Sequence, residues 1–325
     1  MKRRLFTGGA VAAALAPLAV AGAFAQTLPK GVTRIVVGFP PGGGTDVLAR
    51  LLAQKLGVMW GVPVVVENKA GAAGIIAAGD VAKSQPDGGT LLMAHINSHG
   101  IAPGLQSLSY SAERDFTPIA LIGATPQMLI CASNQPVRTL KGLVELCRSR
   151  PGEIIFGSAG NGSAQHLALE LFKARANIDV LHVPYKGSAP LVTDMLGGHV
   201  QYSFEGMTTA TQYLAGGKMT AIAQTRATRS KSFPAVPTLA ESGFEGYEAS
   251  IWFGLVGPAR MDPALVNRMN KDVNTVLAMP DVIARLDQFG AQDGGGSPQR
   301  FGDFMHAERE KWARIIKTAN ITVDK

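Results

Sequence analysis

The stretch FPPGGGTDVLARLLAQKLG, residues 39–57, sets two prolines and three glycines ahead of an amphipathic helix that Thr45 and Asp46 are placed to cap. A loop with so few side chains lets backbone N–H groups approach a partner closely. A phosphate is the first candidate, and the residues argue against it. A P-loop needs a Lys and a Ser/Thr after its last glycine, whereas Gly44 is followed by Thr45-Asp46, and an aspartate there repels a triphosphate. A dinucleotide fingerprint needs G-x-G-x-x-G. Gly42-Gly43-Gly44 lacks that spacing.

Working outward, the residues ahead of this loop read as an export signal. Lys2, Arg3 and Arg4 form a basic start, Gly8 to Ala23 is apolar apart from Pro17, and Ala23-Phe24-Ala25 offers the small residues of a cleavage site. Arg3-Arg4-Leu5-Phe6 resembles a twin-arginine signal, and the ordinary secretory route stays open beside it. Residues 1–25 are therefore expected to be a signal peptide. Its removal from the 325 residues leaves 300, enough for two domains with real cores. The formal charge falls from +7 to +4, because Lys2, Arg3 and Arg4 leave with no acidic residue. That balance is mild, and no Lys/Arg run interleaved with aromatics appears, so nucleic acid is not an expected partner. Cys131 and Cys147 fit two free buried thiols as well as a disulfide, and their spacing matches no metal or redox motif.

After the loop, short β-branched runs alternate with helical ones. Strands are expected at 34–37, 62–66, 90–94, 128–131, 154–156, 180–183, 200–204 and 220–223. Helices are expected at 47–56, 74–81, 140–149, 163–174, 189–196 and 209–214. The tail turns helical, with Asp262-Pro263 and Ser297-Pro298 opening its longer helices. Such alternation means βαβ units around a mostly parallel sheet. One echo stands out. Strand 154–156 runs into Gly157-Ser158-Ala159-Gly160-Asn161-Gly162, then Ser163 as a cap, then Ala164, Leu167, Ala168 and Leu171 on one helical face. Each half of the chain thus offers a helix start from a Gly-rich loop.

No G-x-S-x-G elbow occurs. His95 and His99 are four apart with Ile96 where a zincin has glutamate, and no third ligand is evident. The remaining use for two sets of exposed N–H groups is a carboxylate, because a helix start carries about half a positive elementary charge and several unpaired donors. His166, just inside the second helix, is the histidine best placed to meet it.

These residues carry a resemblance. The chain resembles the Bug-type substrate-binding receptors of tripartite tricarboxylate transporters from about Ile35 to Trp312. The shared stretches are Phe39-Pro40-Pro41-Gly42-Gly43 with Asp46, Val64-Val65-Val66-Glu67-Asn68 with Ala70-Gly71-Ala72-Ala73-Gly74, and Pro86-Asp87-Gly88-Gly89-Thr90. In the second half they are Gly157-Ser158-Ala159-Gly160 with His166, Val183-Pro184-Tyr185-Lys186-Gly187, Leu196-Gly197-Gly198 and Val236-Pro237-Thr238-Leu239-Ala240-Glu241, then Trp252 with Gly254 and Pro258. The resemblance implies an α/β, two-lobe type II periplasmic binding protein with a central mixed sheet in each lobe, closing on a small carboxylic acid. It implies first-lobe contacts at Phe39, Gly43, Thr45, Asp46, Ala70 and Gly74, and at Asn97 at the end of the third strand. In the second lobe it implies Ser158, Gly160, Ser163, His166 and Tyr185. Two departures bear on the ligand: Gln201 replaces a common aspartate, and two histidines stand in His95-Ile96-Asn97-Ser98-His99. Glu205 fits either the cleft or the solvent; facing a ligand, it asks for a hydroxyl or amine opposite the carboxylate.

The expected lobes are residues 27–121 with 249–325, and 122–248, hinged near Phe116–Leu121 and Ile251–Val256. The expected function is capture of an organic acid in the periplasm and delivery to membrane permease subunits, by a monomer without catalysis or cofactor. A sensor kinase is the alternative partner, and an enzyme using His166 or the His95/His99 pair is the rival reading.

Overall fold

The same strand–helix alternation appears in the computed structural model, which describes residues 28–29, 31–318 and 321–322; the expected signal peptide lies outside them. The first sheet is built from β1 (Thr33–Val37), β2 (Val64–Asn68) and β3 (Thr90–His95) in parallel, in the order β2-β1-β3. The helix α1 (Gly44–Trp60) joins β1 to β2, and α2 (Ile75–Val81) leads from β2 to β3. Ile35, Val36 and Val37 are all buried, as a parallel strand covered on both faces requires. Leu48, Leu52 and Leu56 repeat every fourth residue on the buried face of α1. Each contributes about 1.5–3 kcal/mol by leaving water. Gly61, at φ 66°, ends that helix in the left-handed region that lets its N–H reach the Gly57 carbonyl.

After β3 the chain makes a buried π-helical turn, Asn97–Ile101, and a short helix α3 (Ala102–Leu105), neither foreseen from the pattern. Short, all-buried segments carry no periodicity to read. Next comes β4 (Phe116–Ala132), 17 residues long. From Phe116 to Pro126 it pairs antiparallel with β9 (Ser250–Pro258), completing a first sheet of order β2-β1-β3-β9-β4. From Gln127 onward it pairs instead with β7 (Tyr202–Gly206) and β8 (Met219–Gln224). Proline has no N–H to donate to a ladder, and Pro126 sits where the strand changes partners.

The second sheet repeats the first: β6 (Leu181–Pro184), β5 (Ile155–Ser158), β7, β4 and β8. Its helices are α4 (Leu140–Ser149), α5 (Ala164–Ala176), α6 (Ser188–Leu196) and α7 (Met207–Ala215). In each sheet the second-from-last strand is a visitor from the crossing pair. The tail returns to the first sheet as α8 (Pro263–Leu277), α9 (Pro280–Gln288) and α10 (Pro298–Thr318), with α8 and α10 packing on β4. No helix among the described residues is long and apolar enough to cross a membrane.

Cys131 in β4 and Cys147 in α4 are both buried and free, and burial pushes each thiol up to about 11. A thiol held so far from its thiolate is a poor nucleophile. Native protein should therefore give no prompt reaction with a disulfide reagent, and unfolding in the absence of reductant should release both thiols. A native count of zero that stays zero on unfolding would mean that they pair.

Candidate functional site

The opening loop is held from behind. Asp46, in the first turn of α1, accepts from the Gly42 N–H (3.0 Å), from Arg50 Nε (2.9 Å) and from Asn68 Nδ2 (2.9 Å). Asn68 Nδ2 also donates to the Phe39 carbonyl (2.9 Å). Burial works against the Asp46 charge, and the bonds from Arg50, Gly42 and Asn68 outweigh it, so the carboxyl titrates below its usual range. Gly42, at φ 85°, makes the turn. The cap differs from the sequence reading. Gly43 is the N-cap, no side chain caps α1, and Thr45 is the second helical residue. The first N–H groups of α1 are thereby left for something outside the loop.

The second loop is braced in the same way. Ser158 Oγ accepts from the Gly160 N–H (3.1 Å) and lies 2.7 Å from His182 Nε2. Ser163 caps α5 by accepting from the His166 N–H (3.2 Å). His166 Nδ1 accepts from the Gly162 N–H (3.1 Å), and its ring stacks on His182 at 4.2 Å between centroids. Burial, with Lys173 nearby, brings the His166 imidazole down to about 4. A neutral ring bonded to the loop backbone is a support.

The two loops face each other across the gap between the sheets. The Gly44 N–H, at the start of α1, donates to Thr209 Oγ1 of α7 (3.0 Å). The Ala164 N–H, at the start of α5, donates to Asn97 Oδ1 (2.8 Å). Each helix start is thus capped by a side chain of the opposite lobe. Contact there is so close that a Cβ on Gly44 would lie 1.8 Å from Thr208 Oγ1 and 2.7 Å from its Cβ. That answers why the loop needs its last glycine.

Two chambers lie in the gap and share Phe39 and Ala159. The inner one, about 20 Å³, is walled by Gly43, Gly44, Thr45, Asn97, Gln165, Ser188, Glu205, Thr208 and Thr209, with His95 and Phe253. It holds about one water molecule. The outer one, about 320 Å³, is walled by Ala72, Gly160, Asn161, Tyr185 and Lys186. Of the expected contacts, Phe39, Gly43, Thr45, Asn97 and Glu205 line the inner chamber, and Phe39, Gly160 and Tyr185 the outer. Asp46, Ala70, Gly74, Ser158, Ser163 and His166 line neither. Gly74 instead packs near the Phe39 ring, where a Cβ would lie 3.4 Å from it. Gln165, Ser188, Thr208 and Thr209 escaped the sequence reading. A signal existed for the threonines: Glu205-Gly206-Met207-Thr208-Thr209 is a third passage from strand through glycine to helix.

Glu205 is the charged residue of the inner wall. Its Oε1 accepts from Ser188 Oγ and from the Gly206 N–H, both at 2.8 Å, while Oε2 is buried without a partner. Burial pushes the carboxyl up to about 7, against the bonds from Ser188 and Gly206. His95, whose Nδ1 accepts from the Asn97 N–H (3.1 Å), packs between Phe39 and Phe253. Burial, with His99 nearby, lowers it to about 3 and keeps it neutral. No Lys or Arg lines the inner chamber.

Comparison with known proteins places this geometry. Residues 48–321 match the model of the tripartite tricarboxylate transporter family receptor. Protein BugT of Bordetella pertussis is 37% identical over 296 residues, covering 90% of each chain. The solved R. palustris Rpa4515 with adipate is similar with a TM-score of 0.87 and 34% identity, over 90% of this chain and 99% of that one. MatC from Rhodopseudomonas palustris with bound malate gives 0.84 and 30%, over 89% and 99%. The fold is the two-lobed α/β architecture of periplasmic binding proteins.

Two variants test the site. Gly44→Ala collides only with the opposite lobe, so its fold should persist while closure is weakened. The scattering radius should exceed that of the parent, and closure should weaken by about 1–3 kcal/mol, as overpacking does. Glu205→Gln should change the pH dependence of stability. The Glu205 value of about 7 lies above the ordinary 4.5, so its protonated form favours folding. That contribution is complete below about pH 4.5 and is lost as pH rises through 7, about 3 kcal/mol in all. The parent should lose stability relative to Glu205→Gln across that window, measured by denaturant unfolding.

Proposed function

The chain belongs to the tripartite tricarboxylate transporter receptor family, and on that premise we propose that it captures a small organic acid between its lobes in the periplasm and delivers it unchanged to membrane permease subunits. One observation carries this reading: two helix starts from opposite lobes, at Gly44 and Ala164, converge on a wall without Lys or Arg. Fixed N–H donors and helix ends can hold a carboxylate with no salt bridge. In this structure Thr209 and Asn97 supply the acceptor oxygens. A carboxylate in the same place offers stronger, charge-assisted bonds. Its carbon chain then extends past Phe39 and Ala159 into the outer chamber, towards Tyr185 and Lys186.

The adipate and malate in two similar structures make dicarboxylates the first probes. The lobes, proposed as 27–121 with 249–325 and 122–248, close by flexing the crossing pair β4 and β9. Because β4 stays in the first sheet through Pro126 and joins the second from Gln127, the proposed pivot lies at Pro126, a few residues beyond the expected hinge at Phe116–Leu121. His166 supports a loop rather than lining a chamber, so of the histidines weighed as a base it is His95 that meets the cleft, packed between Phe39 and Phe253.

The test is a thermal-shift and scattering screen of adipate, malate, succinate and longer dicarboxylates. A ligand should raise the melting point, with stabilisation of about 2.7 kcal/mol at a hundredfold excess over Kd, and should be recovered unaltered. Affinity should vary little with salt, because the donors are enclosed and short-range. A ligand consumed during incubation would favour an enzyme, and a screen without any response would count against the receptor.

A further inference from the structure

Two grooves that share no residue with the chambers lie side by side on another face. The larger, about 760 Å³, runs along α4, with Leu140, Val144 and Phe244 as apolar wall and Arg138, Lys141 and Arg148 as cations. The smaller, about 460 Å³, runs between α5 and α10. There Leu171, Ala174 and Ile315 are apolar, and Arg175, Lys311 and Arg314 are the cations. The grooves share a divider. Arg148 Nη2 donates to the Ala176 carbonyl at the end of α5 (2.6 Å), and Arg175 Nη1 donates to the Glu245 carbonyl (3.1 Å), next to Phe244. The Phe244 ring meets Phe172 of α5 at 5.5 Å between centroids.

Charge is uneven on this face. Six cations and one acid, Glu145, line the two grooves, on a chain whose overall balance is mild. Of the six, Lys311 alone is in an ion pair among the described residues, with Glu308 at 3.1 Å. Arg138, Lys141 and Arg314 bond to no other described residue through their side chains. One-signed charge around a low-dielectric wall attracts the opposite charge and steers its approach. The shape narrows the choice further. A bilayer is flat and cannot follow two grooves and the ridge between them, whereas a projecting stretch of polypeptide can seat apolar side chains in both.

Resting on the receptor reading above, we propose that this double groove is the face that docks the permease, and that its occupant is a permease segment alternating carboxylates with apolar side chains. The two grooves then have different tasks. The larger is built within the second lobe, from α4, β8 and residues 237–244, so its shape does not depend on closure. The smaller has one wall from each lobe, because α5 packs on the second sheet and α10 on β4 and the buried turn after β3. Its width is set by the angle between the lobes, and α5 itself starts at the cross-lobe bond to Asn97. A segment seated there meets a different groove in the open and closed receptor. Ligand and permease are thereby coupled, each raising affinity for the other by the same factor.

The test measures binding of the full mature protein to each tripartite tricarboxylate permease of the same cells, held in phosphatidylcholine nanodiscs, with and without the acid found by the screen above. One permease should bind, more weakly as salt rises, and the acid should tighten it by about fivefold or more. Arg138→Glu with Lys141→Glu should weaken binding about tenfold and keep the acid's effect. Arg314→Glu, and separately Ala174→Trp, which fills the smaller groove, should also remove that effect. All of these variants should bind the acid as the parent does, since none touches the chambers. Lys83→Glu with Lys271→Glu, outside both grooves, should match the parent. Groove variants that bind the permease like the parent, or a parent that binds no permease, overturn this proposal and leave the receptor reading standing. So does tighter binding to phosphatidylglycerol vesicles than to the permease, lost in the groove variants, or a dimer of the parent that they dissociate. Failure of every acid to bind counts against the receptor reading itself.

Discussion

An α-helix leaves its first N–H groups without partners, and this fold leaves two such sets facing each other. Gly43 supplies no side chain to cap α1, so the Gly44 N–H must find an oxygen elsewhere, and it finds Thr209 across the gap. The Ala164 N–H finds Asn97 in the opposite direction. The lobes therefore meet through the unmet valence of their own backbones. A side chain at position 44 would hold them apart, which is why glycine stands there.

Donors of this kind are useful only if they do not move. Loops rich in glycine are flexible by default, so each needs a brace made from side chains set behind it. Asp46, Arg50 and Asn68 tie down the first loop, and Ser158, His166 and His182 tie down the second. The braces differ in chemistry, a carboxylate network against a stacked imidazole pair, yet do the same task. Bonds fixed before a ligand arrives need not be ordered at its expense, which is how preorganisation raises affinity. The motif residues outside the chambers thus still belong to the site.

How much of this could be read from the chain follows from the same distinction. The alternating elements were legible because β-branched strands and amphipathic helices carry periods of two and 3.6 residues. The Gly-rich loops were legible because few other needs explain three consecutive glycines before a helix. The division of labour inside the motifs was not. Nothing in Phe39–Leu56 says that Gly43, rather than Thr45, precedes the helix, or that Asp46 turns back towards Gly42. Such choices rest on contacts with Asn68, 22 residues further on, and with Thr209, 165 residues beyond Gly44. The buried turn at Asn97–Ile101 carries no period at all. It nevertheless delivers the oxygen that caps α5. The long strand β4 was seen only in pieces, because its prolines and glycine break the pattern within one continuous ladder.

The balance between open and closed lobes follows from counting what closure satisfies and what it strands. Two cross-lobe bonds form, each worth about 1 kcal/mol net. Against them, closure encloses Glu205 Oε2, Gln165 Oε1 and Asn97 Nδ2, which no other protein group meets, and a buried polar group left unmet costs about 1–3 kcal/mol. Closure by the protein's own bonds alone is then weakly favoured at best. A ligand that supplies the missing donors and acceptor reverses the sign of those contributions while leaving the open form unaffected, and only such a difference can shift the equilibrium. Selectivity and closure are in this sense one property.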